Sequence, residues 1–256
     1  MAIAIAFANQ KGGVGKSTLA TQFAFYLAVR KTKKVLFIDM DAQASSSDTL
    51  LGDDEFSGIR TEDLFSEEVD PVQLKPIHTK YGVDLFGTQA SVESYDVEAL
   101  PIEQALLPAA RLRPLFNEYD FVVIDCPPTL GRRLVSALVM VDYVVAPIKL
   151  SGYAISGLHG LLETIQTIRK KLNRRLKFLG AAVNEYIENA AQKKAHAAIQ
   201  ESLGDLVFKT LIHYRSPIDM SNSGYPIALV RNSRKSKEEL YAVFEEILRK
   251  IKKLQS

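Results

Sequence analysis

The stretch Gln-Lys-Gly-Gly-Val-Gly-Lys-Ser-Thr, residues 10–18, decides the fold of this chain. It follows an apolar run at 3–8 and precedes a helical pattern of apolar residues at 19–29. A strand, a glycine-rich loop and a helix in this order form a phosphate cradle rather than a merely flexible turn, because backbone N–H groups and the helix dipole converge on an anion. In such a loop Lys16 reaches the β- and γ-phosphates, and the Ser17 hydroxyl binds Mg²⁺. We therefore predict a nucleotide site formed by Gly12, Gly13, Val14, Gly15, Lys16, Ser17 and Thr18.

Length and composition are those of one globular domain. The 256 residues are 47% apolar and 24% charged, so we expect a single domain over residues 1–256. The one cysteine, Cys126, excludes a disulfide framework and a Cys-x-x-Cys metal site, and it fits a reducing cytoplasm. The apolar start is too short to span a bilayer and indicates a buried strand, not a signal peptide. We expect a cytoplasmic protein that does not enter the membrane.

Apolar, β-branched runs alternate with helical patterns along the chain. Alternation of this kind predicts an α/β fold with a mostly parallel twisted sheet and helices on both faces. The stretch 99–118, which three prolines interrupt, predicts one kinked helix or two short ones, and the polar stretch 42–70 predicts a loop with a short helix near 61–66. Further helices are predicted at 155–172, 190–203 and 236–254, and strands at 3–8, 34–38, 83–86, 121–124, 143–147 and 178–183.

Polar side chains follow three of the predicted strands, at the sheet edge where ligands of such folds bind. Asp125 is placed to support Mg²⁺ through a water molecule, although a helix cap or a turn would also explain it. Asp39 and Asp41 follow the second strand beside the loop; a simple turn is their alternative. The amide of Asn184 suits an adenine edge, and a turn asparagine explains it nearly as well.

The net charge of +2 hides an uneven distribution. Residues 48–70 hold nine acids and one base, and residues 169–177 hold six bases and no acid. From residue 231 onward there are eight bases and four acids. Such asymmetry indicates contact with a polyanion, nucleic acid in particular. Solvated helix ends are the alternative, because lysine and arginine favour helix C-termini.

The loop also departs from the ordinary phosphate-loop pattern. Gln10 stands where that pattern has glycine, and a second lysine, Lys11, precedes the glycines; alone, it could be a solvated surface lysine. With Asp-Met-Asp-Ala-Gln at 39–43 and Asp-Cys-Pro-Pro at 125–128, the loop resembles that of the deviant Walker A ATPases. These include the ParA partition proteins, the MinD positioning proteins and the nitrogenase iron protein. The resemblance covers most of the chain and implies a P-loop NTPase fold with ATP and Mg²⁺ as cofactors.

The resemblance also implies roles for individual residues. Lys11 would cross a dimer interface to the partner's ATP, and Asp41 would position the attacking water. Asp39 would be a supporting carboxylate near Lys11 or the metal, so the implied metal site consists of Ser17, Asp125 and Asp39. Residue 42 is alanine where the family has proline, which leaves the local geometry open.

The sequence favours one branch of that family. One cysteine cannot hold the iron protein's cluster. The basic, amphipathic pattern at 236–254 could bind a membrane surface, as in a MinD-like positioning ATPase, but we expect it to be the closing helix of the fold. The partition branch remains, and the bases that fall where it places DNA contacts are Arg231, Arg234, Lys235 and Lys237.

We therefore expect an ATP-dependent homodimer that binds DNA without sequence preference and associates with the nucleoid. Its weak, Mg²⁺-dependent ATP hydrolysis would be stimulated by a ParB-like or cargo-adaptor protein, and it would segregate or position plasmid, chromosome or protein cargo. A small-molecule kinase that uses the same loop is a further alternative, which Lys11 and the basic C-terminal third disfavour.

Overall fold

The structure, a computed structural model, describes residues 2–70, 73–90, 96–150, 154–215 and 225–255. Within these residues the chain forms one sheet of seven strands, β1 (Ile3–Phe7), β2 (Val35–Asp39), β3 (Ile77–His78), β4 (Val83–Phe86), β5 (Phe121–Asp125), β6 (Tyr143–Ile148) and β7 (Lys177–Val183). The strand order is β3-β4-β2-β5-β1-β6-β7, and all neighbours are parallel except the antiparallel pair β3 and β4. The predicted mostly parallel sheet is thus confirmed, and the two-residue β3 is the strand that the sequence did not indicate.

Helices cover both faces of this sheet. The α-helices of the described residues are α1 (Lys16–Phe25), α2 (Ser45–Leu51), α3 (Leu107–Leu112), α4 (Arg132–Met140), α5 (Ala154–Lys171), α6 (Ala190–Leu203) and α7 (Arg234–Gln255). A π-helical turn, Tyr26–Arg30, extends α1, and 3₁₀ turns flank α3 to give one irregular helical stretch where the prolines predicted it. None of the helices in the described ranges combines the length and hydropathy needed to span a bilayer.

Two of these helices were not predicted. The expected loop at 42–70 contains α2 in addition to the short helix near 61–66, which is the 3₁₀ turn Asp63–Phe65. Serine is a weak helix former, so the run Ser45-Ser-Ser gives little helical signal. Contacts from outside the segment stabilise α2, because the carboxylates of Asp39 and Asp125 accept hydrogen bonds from it. Helix α4 was not predicted because it has only nine residues and follows two prolines.

Strand β1 separates two hydrophobic cores. Its even residues, Ala4 and Ala6, belong to the core that contains side chains of α3, α4 and α5. Its odd residues, Ile5 and Phe7, belong to the core on the other face, with side chains of α1 and α7. This alternation follows from the two-residue period of a strand. The glycine loop therefore starts from a strand that is fixed on both faces.

A buried amide fixes the turn between α5 and β7. Asn173 is 5% exposed, and its Nδ2 lies within hydrogen-bond distance of the carbonyl oxygens of Leu138, Val139 and Val141, at 3.0, 3.1 and 2.7 Å. Its Oδ1 accepts a hydrogen bond from the backbone N–H of Arg175 at 3.3 Å. The last carbonyls of a helix have no partner inside the helix, so this side chain satisfies the end of α4 while it shapes the turn.

Replacement of Asn173 by alanine should destabilise the protein by about 2–4 kcal/mol, because it leaves buried carbonyls without donors. The free energy of unfolding in urea measures this loss. Asn189→Ala is the matched control: Asn189 is exposed and caps α6 through the N–H of Gln192, so its loss should cost about 1 kcal/mol. Equal losses in the two variants would contradict the role given to Asn173.

Candidate nucleotide site

The glycine loop connects the end of β1 to the start of α1 at the carboxyl edge of the sheet. Gly13 and Gly15 have φ angles of 67° and 87°, in the left-handed region that favours glycine. A Cβ atom on Gly15 would lie 2.2 Å from Nδ2 of Asn184. Gly15 is therefore required twice, by its backbone conformation and by a neighbouring side chain.

Two buried asparagines hold this loop against the neighbouring strands. Asn9 donates to the carbonyl oxygen of Pro147 in β6 at 2.7 Å and accepts from the N–H of Lys11 at 3.1 Å. Asn184, directly after β7, donates from Nδ2 to the carbonyl oxygen of Val14 at 3.0 Å. Its Oδ1 is buried and has no hydrogen-bond partner in the described part of the chain, so Oδ1 is the atom that a base could use. The predicted adenine contact of Asn184 stays a prediction.

A cleft of about 650 Å³ opens in front of the loop. Seven of the predicted site residues line it, namely Gly12, Gly13, Gly15, Lys16, Ser17, Thr18 and Asp41. The structure adds lining residues that the sequence analysis missed, namely Gln43, Ser45, Asp48, Thr49, Pro128 and Glu185. Cavities of this size hold small-molecule ligands in other proteins.

The two loop lysines are placed differently. Lys16 is 5% exposed, and its Nζ donates to the carbonyl oxygen of Lys11 at 3.3 Å, so the ammonium group lies inside the curve of the loop. Lys11 is half-buried and is not among the described residues that line the cleft. The cleft is thus lined by one of the two loop lysines.

Two buried carboxylates lie side by side behind the loop. Asp39 and Asp125 are register partners at the ends of β2 and β5, and each has an exposed fraction of 0%. Burial raises the pKa of Asp39, and the negative charge of Asp125 raises it further. Burial also raises the pKa of Asp125, while hydrogen bonds from the Ser17 and Ser46 hydroxyls oppose this shift. Adjacent buried carboxylates favour a site for positive charge.

Asp125 and Ser17 fit a magnesium ion. The Ser46 hydroxyl donates to Oδ2 of Asp125 at 2.7 Å, but Oδ1 is buried without a hydrogen-bond partner in the described residues. A carboxylate oxygen and a hydroxyl are the hard oxygen groups that Mg²⁺ prefers. No group of three or more His, Cys, Asp or Glu in the described residues could hold a metal. Mg²⁺ at phosphate sites is commonly bound by one or two protein oxygens together with substrate phosphates.

The hydrogen bonds of Asp39 differ from those expected of a carboxylate that binds the metal. Its Oδ2 accepts from the N–H and the hydroxyl of Ser47 at 2.8 and 2.7 Å, and its Oδ1 accepts from the N–H of Asp41 at 3.0 Å. Both oxygens thus position the turn that follows β2. Direct contact between Asp39 and the metal stays a prediction that this geometry disfavours.

The turn that carries Asp41 is ordered without the family's proline. The backbone oxygen of Asp41 accepts from the N–H of Ala44 at 3.0 Å, and its Oδ1 accepts from the N–H of Gln43 at 3.1 Å. Ala44, at a φ of 58°, is held as the residue before α2. The substitution at Ala42 therefore leaves a hydrogen-bonded turn, and Asp41 lines the cleft.

A buried ionic network lies behind this turn, and the sequence analysis missed it. Glu62 and Arg133 are 1% and 5% exposed, and Nη2 of Arg133 is 3.8 Å from Oε1 of Glu62. The Thr88 hydroxyl donates to Glu62 at 2.6 Å. Glu98 accepts from the backbone N–H groups of Arg132 and Arg133 and so caps α4. These partners are far apart in sequence, so no local pattern indicated them.

The predicted DNA-contacting bases lie outside the cleft. Arg231, Arg234 and Lys235 are exposed and Lys237 is half-buried, all at the start of α7. Nε of Arg234 is 3.0 Å from a carboxylate oxygen of Glu238. None of the four bases lines the cleft, and their contact with DNA stays a prediction.

Comparison with known proteins agrees with this geometry. The family described as "AAA domain" matches residues 2–178. The chromosome partitioning protein ParA of Myxococcus xanthus is 31% identical over 96% of this chain and 88% of its own. The chromosome-partitioning ATPase Soj of Thermus thermophilus is 34% identical over 81% of this chain and 80% of its own. A plasmid partition protein of Borrelia burgdorferi, solved with AMPPNP, has a TM-score of 0.78 at 26% identity and 99% coverage of both chains.

Gly15→Ala should destabilise the fold and abolish nucleotide binding. The left-handed backbone alone costs about 1–3 kcal/mol for a residue with a side chain, and the contact with Asn184 adds to this. Thermal unfolding and titration with a fluorescent ATP analogue measure the two effects. In the control Gly12→Ala, a Cβ would meet nothing within 4 Å, so unfolding should be unchanged. A stable, nucleotide-binding Gly15→Ala variant would refute this account of the loop.

Proposed function

The chain belongs to the ParA-type ATPases of the ParA/MinD superfamily, and we propose that its ATP-bound form is a dimer that binds DNA. It is a partition ATPase that hydrolyses ATP with Mg²⁺ as its cofactor. Two subunits, DNA and an activating protein would take part in that reaction.

The observation that carries the proposal is the different placement of the two loop lysines. Lys16 lies within the loop of its own subunit, whereas Lys11 is half-buried and does not line that subunit's cleft. Two subunits that meet by their carboxyl edges would bring Lys11 of each to the triphosphate of the other. A cation supplied from across an interface stabilises the charge that develops on the phosphates.

Within each subunit the remaining groups have distinct tasks. The loop N–H groups and Lys16 bind the phosphates, and Asp41 orients a water molecule in line with the γ-phosphate. Ser17 and Asp125 would hold Mg²⁺, which would supply positive charge to the bound phosphates. Asp39 positions Asp41 through its backbone N–H. Hydrolysis is slow until a partner completes the alignment.

The partners follow from charge and from the relatives. Arg231, Arg234, Lys235 and Lys237 would contact DNA phosphates, which are recognised without sequence preference. The names of the relatives point to chromosome or plasmid cargo. Protein cargo is a variant of this function, and a ParB-like or adaptor protein would stimulate hydrolysis and release the dimer. Such a protein associates with the nucleoid.

Membrane attachment through α7, the MinD-like alternative, is disfavoured by packing. The central apolar residues of this helix are buried in the core, with 0% exposure at Leu240, Val243, Phe244 and Ile247. The ring of Phe244 lies 5.3 Å from that of Phe23 in α1. Binding at a lipid surface needs an exposed apolar face, which α7 lacks in this fold.

A complementation assay tests whether Lys11 acts on the partner's nucleotide. Lys11→Ala and Asp41→Ala should each abolish ATP hydrolysis. When the two inactive variants are mixed, mixed dimers contain one site with both groups intact, so about a quarter of the wild-type rate should return. Phosphate release at equal total protein concentration measures this rate.

The same mixture distinguishes the alternatives. If Lys11 acted within its own subunit, every site of a mixed dimer would carry one lesion, and no activity would return. Lys16→Ala is the control: it should lose nucleotide binding itself, whereas Lys11→Ala should still bind ATP. Recovery in the absence of dimers, judged by light scattering, would also disprove the arrangement.

Charge reversal at the start of α7 tests the DNA contact. The pair Arg234→Glu and Lys235→Glu should abolish ATP-dependent retention on DNA and leave ATP-dependent dimerisation intact, since these side chains lie outside the cleft. The matched control reverses two exposed lysines of α6, Lys193 and Lys194, with the same change in net charge. Equal DNA retention in both double variants would show that the four bases do not form the binding surface.

A further inference from the structure

The structure gathers a second group of bases at the opposite edge of the sheet. Because six strands are parallel, the connections that precede them meet at the amino edge, away from the nucleotide cleft. The end of α5 and the turn into β7 lie at this edge and hold six bases without an acid. With three bases from the end of α7, they form what we call the amino-edge surface: Arg169, Lys170, Lys171, Arg174, Arg175, Lys177, Arg249, Lys252 and Lys253.

Contacts place the end of α7 beside the start of β7. Lys177 is the register partner of Tyr143, and the Gln255 side chain hydrogen bonds to Tyr143. Nζ of Lys250 donates to the carbonyl oxygens of Leu179 at 3.3 Å and Asp205 at 2.6 Å. Lys250 thus holds the end of α7 against the edge strand β7. Arg249, Lys252 and Lys253 lie next to this contact in sequence and are exposed.

The bases of this surface are accessible to a large ligand. Most of the nine are exposed, and Lys177 is half-buried. The turn that carries Arg174 and Arg175 is held by Asn173 through the three carbonyl contacts described above. A turn fixed in this way loses little conformational freedom when it binds, which favours affinity.

Acidic and basic residues are unevenly distributed between the two edges of the sheet. The cleft at the carboxyl edge is lined by Asp41, Asp48 and Glu185, with Asp39 and Asp125 behind it. The amino edge carries the nine bases, although the net charge of the chain is only +2. The nine bases would attract a polyanion to the amino edge.

We propose that the amino-edge surface is a second DNA-binding surface, which contacts backbone phosphates whether or not nucleotide is bound. The choice of DNA among polyanions rests on the proposed function. A lipid surface is less suitable, since the exposed large apolar residues described near these bases are three leucines, Leu172 at 47%, Leu254 at 44% and Leu206 at 39%. In a dimer joined by its carboxyl edges, two such surfaces would lie at the far ends and could hold separate DNA segments.

The proposal predicts two separable components of DNA binding. Without nucleotide, the wild-type protein should bind a fluorescent DNA duplex of random sequence, with an affinity that falls steeply with salt. Arg174→Ala with Arg175→Ala should lower the salt slope by about 2 and weaken binding roughly 60-fold near 0.1 M salt. Arg174→Glu with Arg175→Glu should abolish this component and leave ATP hydrolysis without DNA unchanged.

Reversal of Arg234 and Lys235 should have the opposite profile. It should remove the increase in affinity caused by AMPPNP and leave nucleotide-free binding as in wild type. If the reversed pair at Arg174 and Arg175 also lost only the AMPPNP-dependent increase in DNA affinity, the second surface would be disproved. If the reversed pair at Arg234 and Lys235 lost only nucleotide-free DNA binding, as the pair at Arg174 and Arg175 should, the proposed DNA contact at the start of α7 would be disproved. The second surface would then still stand.

Two controls separate this surface from a general charge effect and from a lipid site. Lys193→Glu with Lys194→Glu changes the net charge equally at another place on the protein, so equal weakening by this pair would refute the proposal. Vesicles of phosphatidylglycerol with phosphatidylcholine test the other polyanion. Nucleotide-free binding to these vesicles but not to DNA, lost on reversal of Arg174 and Arg175, would assign the surface to lipid and refute the proposal.

Discussion

Two carboxylates buried side by side constrain the rest of this structure. Asp39 and Asp125 end adjacent parallel strands and cannot both be charged in a dry interior without compensation. Part of the compensation comes from Ser46 and Ser47, whose hydrogen bonds explain why a serine-rich segment is helical at all. The rest is available to a bound cation next to Ser17. Folding of the loop after β2 and binding of Mg²⁺-nucleotide therefore depend on the same pair of side chains.

The network behind these carboxylates joins the segments that surround the nucleotide. Thr61 donates to the backbone oxygen of Asp39 at 2.8 Å, and its neighbour Glu62 pairs with Arg133 of α4. Glu98 caps the same helix. The turns after β2 and β5 are thus tied to one helix and to the segment at 61–62. A change at the γ-phosphate that moves either turn must move the other or break buried contacts, which is a physical route for coupling the state of the nucleotide to the surface.

The sequence predicted what is encoded locally. Short patterns with a known physical basis indicated the strand, loop and helix at 3–29 and the buried strands. They also indicated many of the residues that line the cleft. Helix α2 was missed because its stability comes from Asp39 and Asp125, not from the propensity of serine. The pairing of Glu62 with Arg133 spans 71 positions, so no periodicity could indicate it. Oδ2 of Asp39 likewise accepts hydrogen bonds from Ser47, a tertiary contact that a sequence motif cannot indicate.

Helix α7 separates the residues that hold it from those that would meet its partners. Its apolar stripe is fixed against α1 and the sheet, while the bases at both ends are on the outside. Substitutions at such exposed positions usually change stability by less than about 0.5 kcal/mol. If the exposed bases contact DNA as proposed, the affinity for DNA can change during evolution, one lysine or arginine at a time, without a compensating change in the core. Related chains could then differ in how long each stays bound while they share the same ATPase fold.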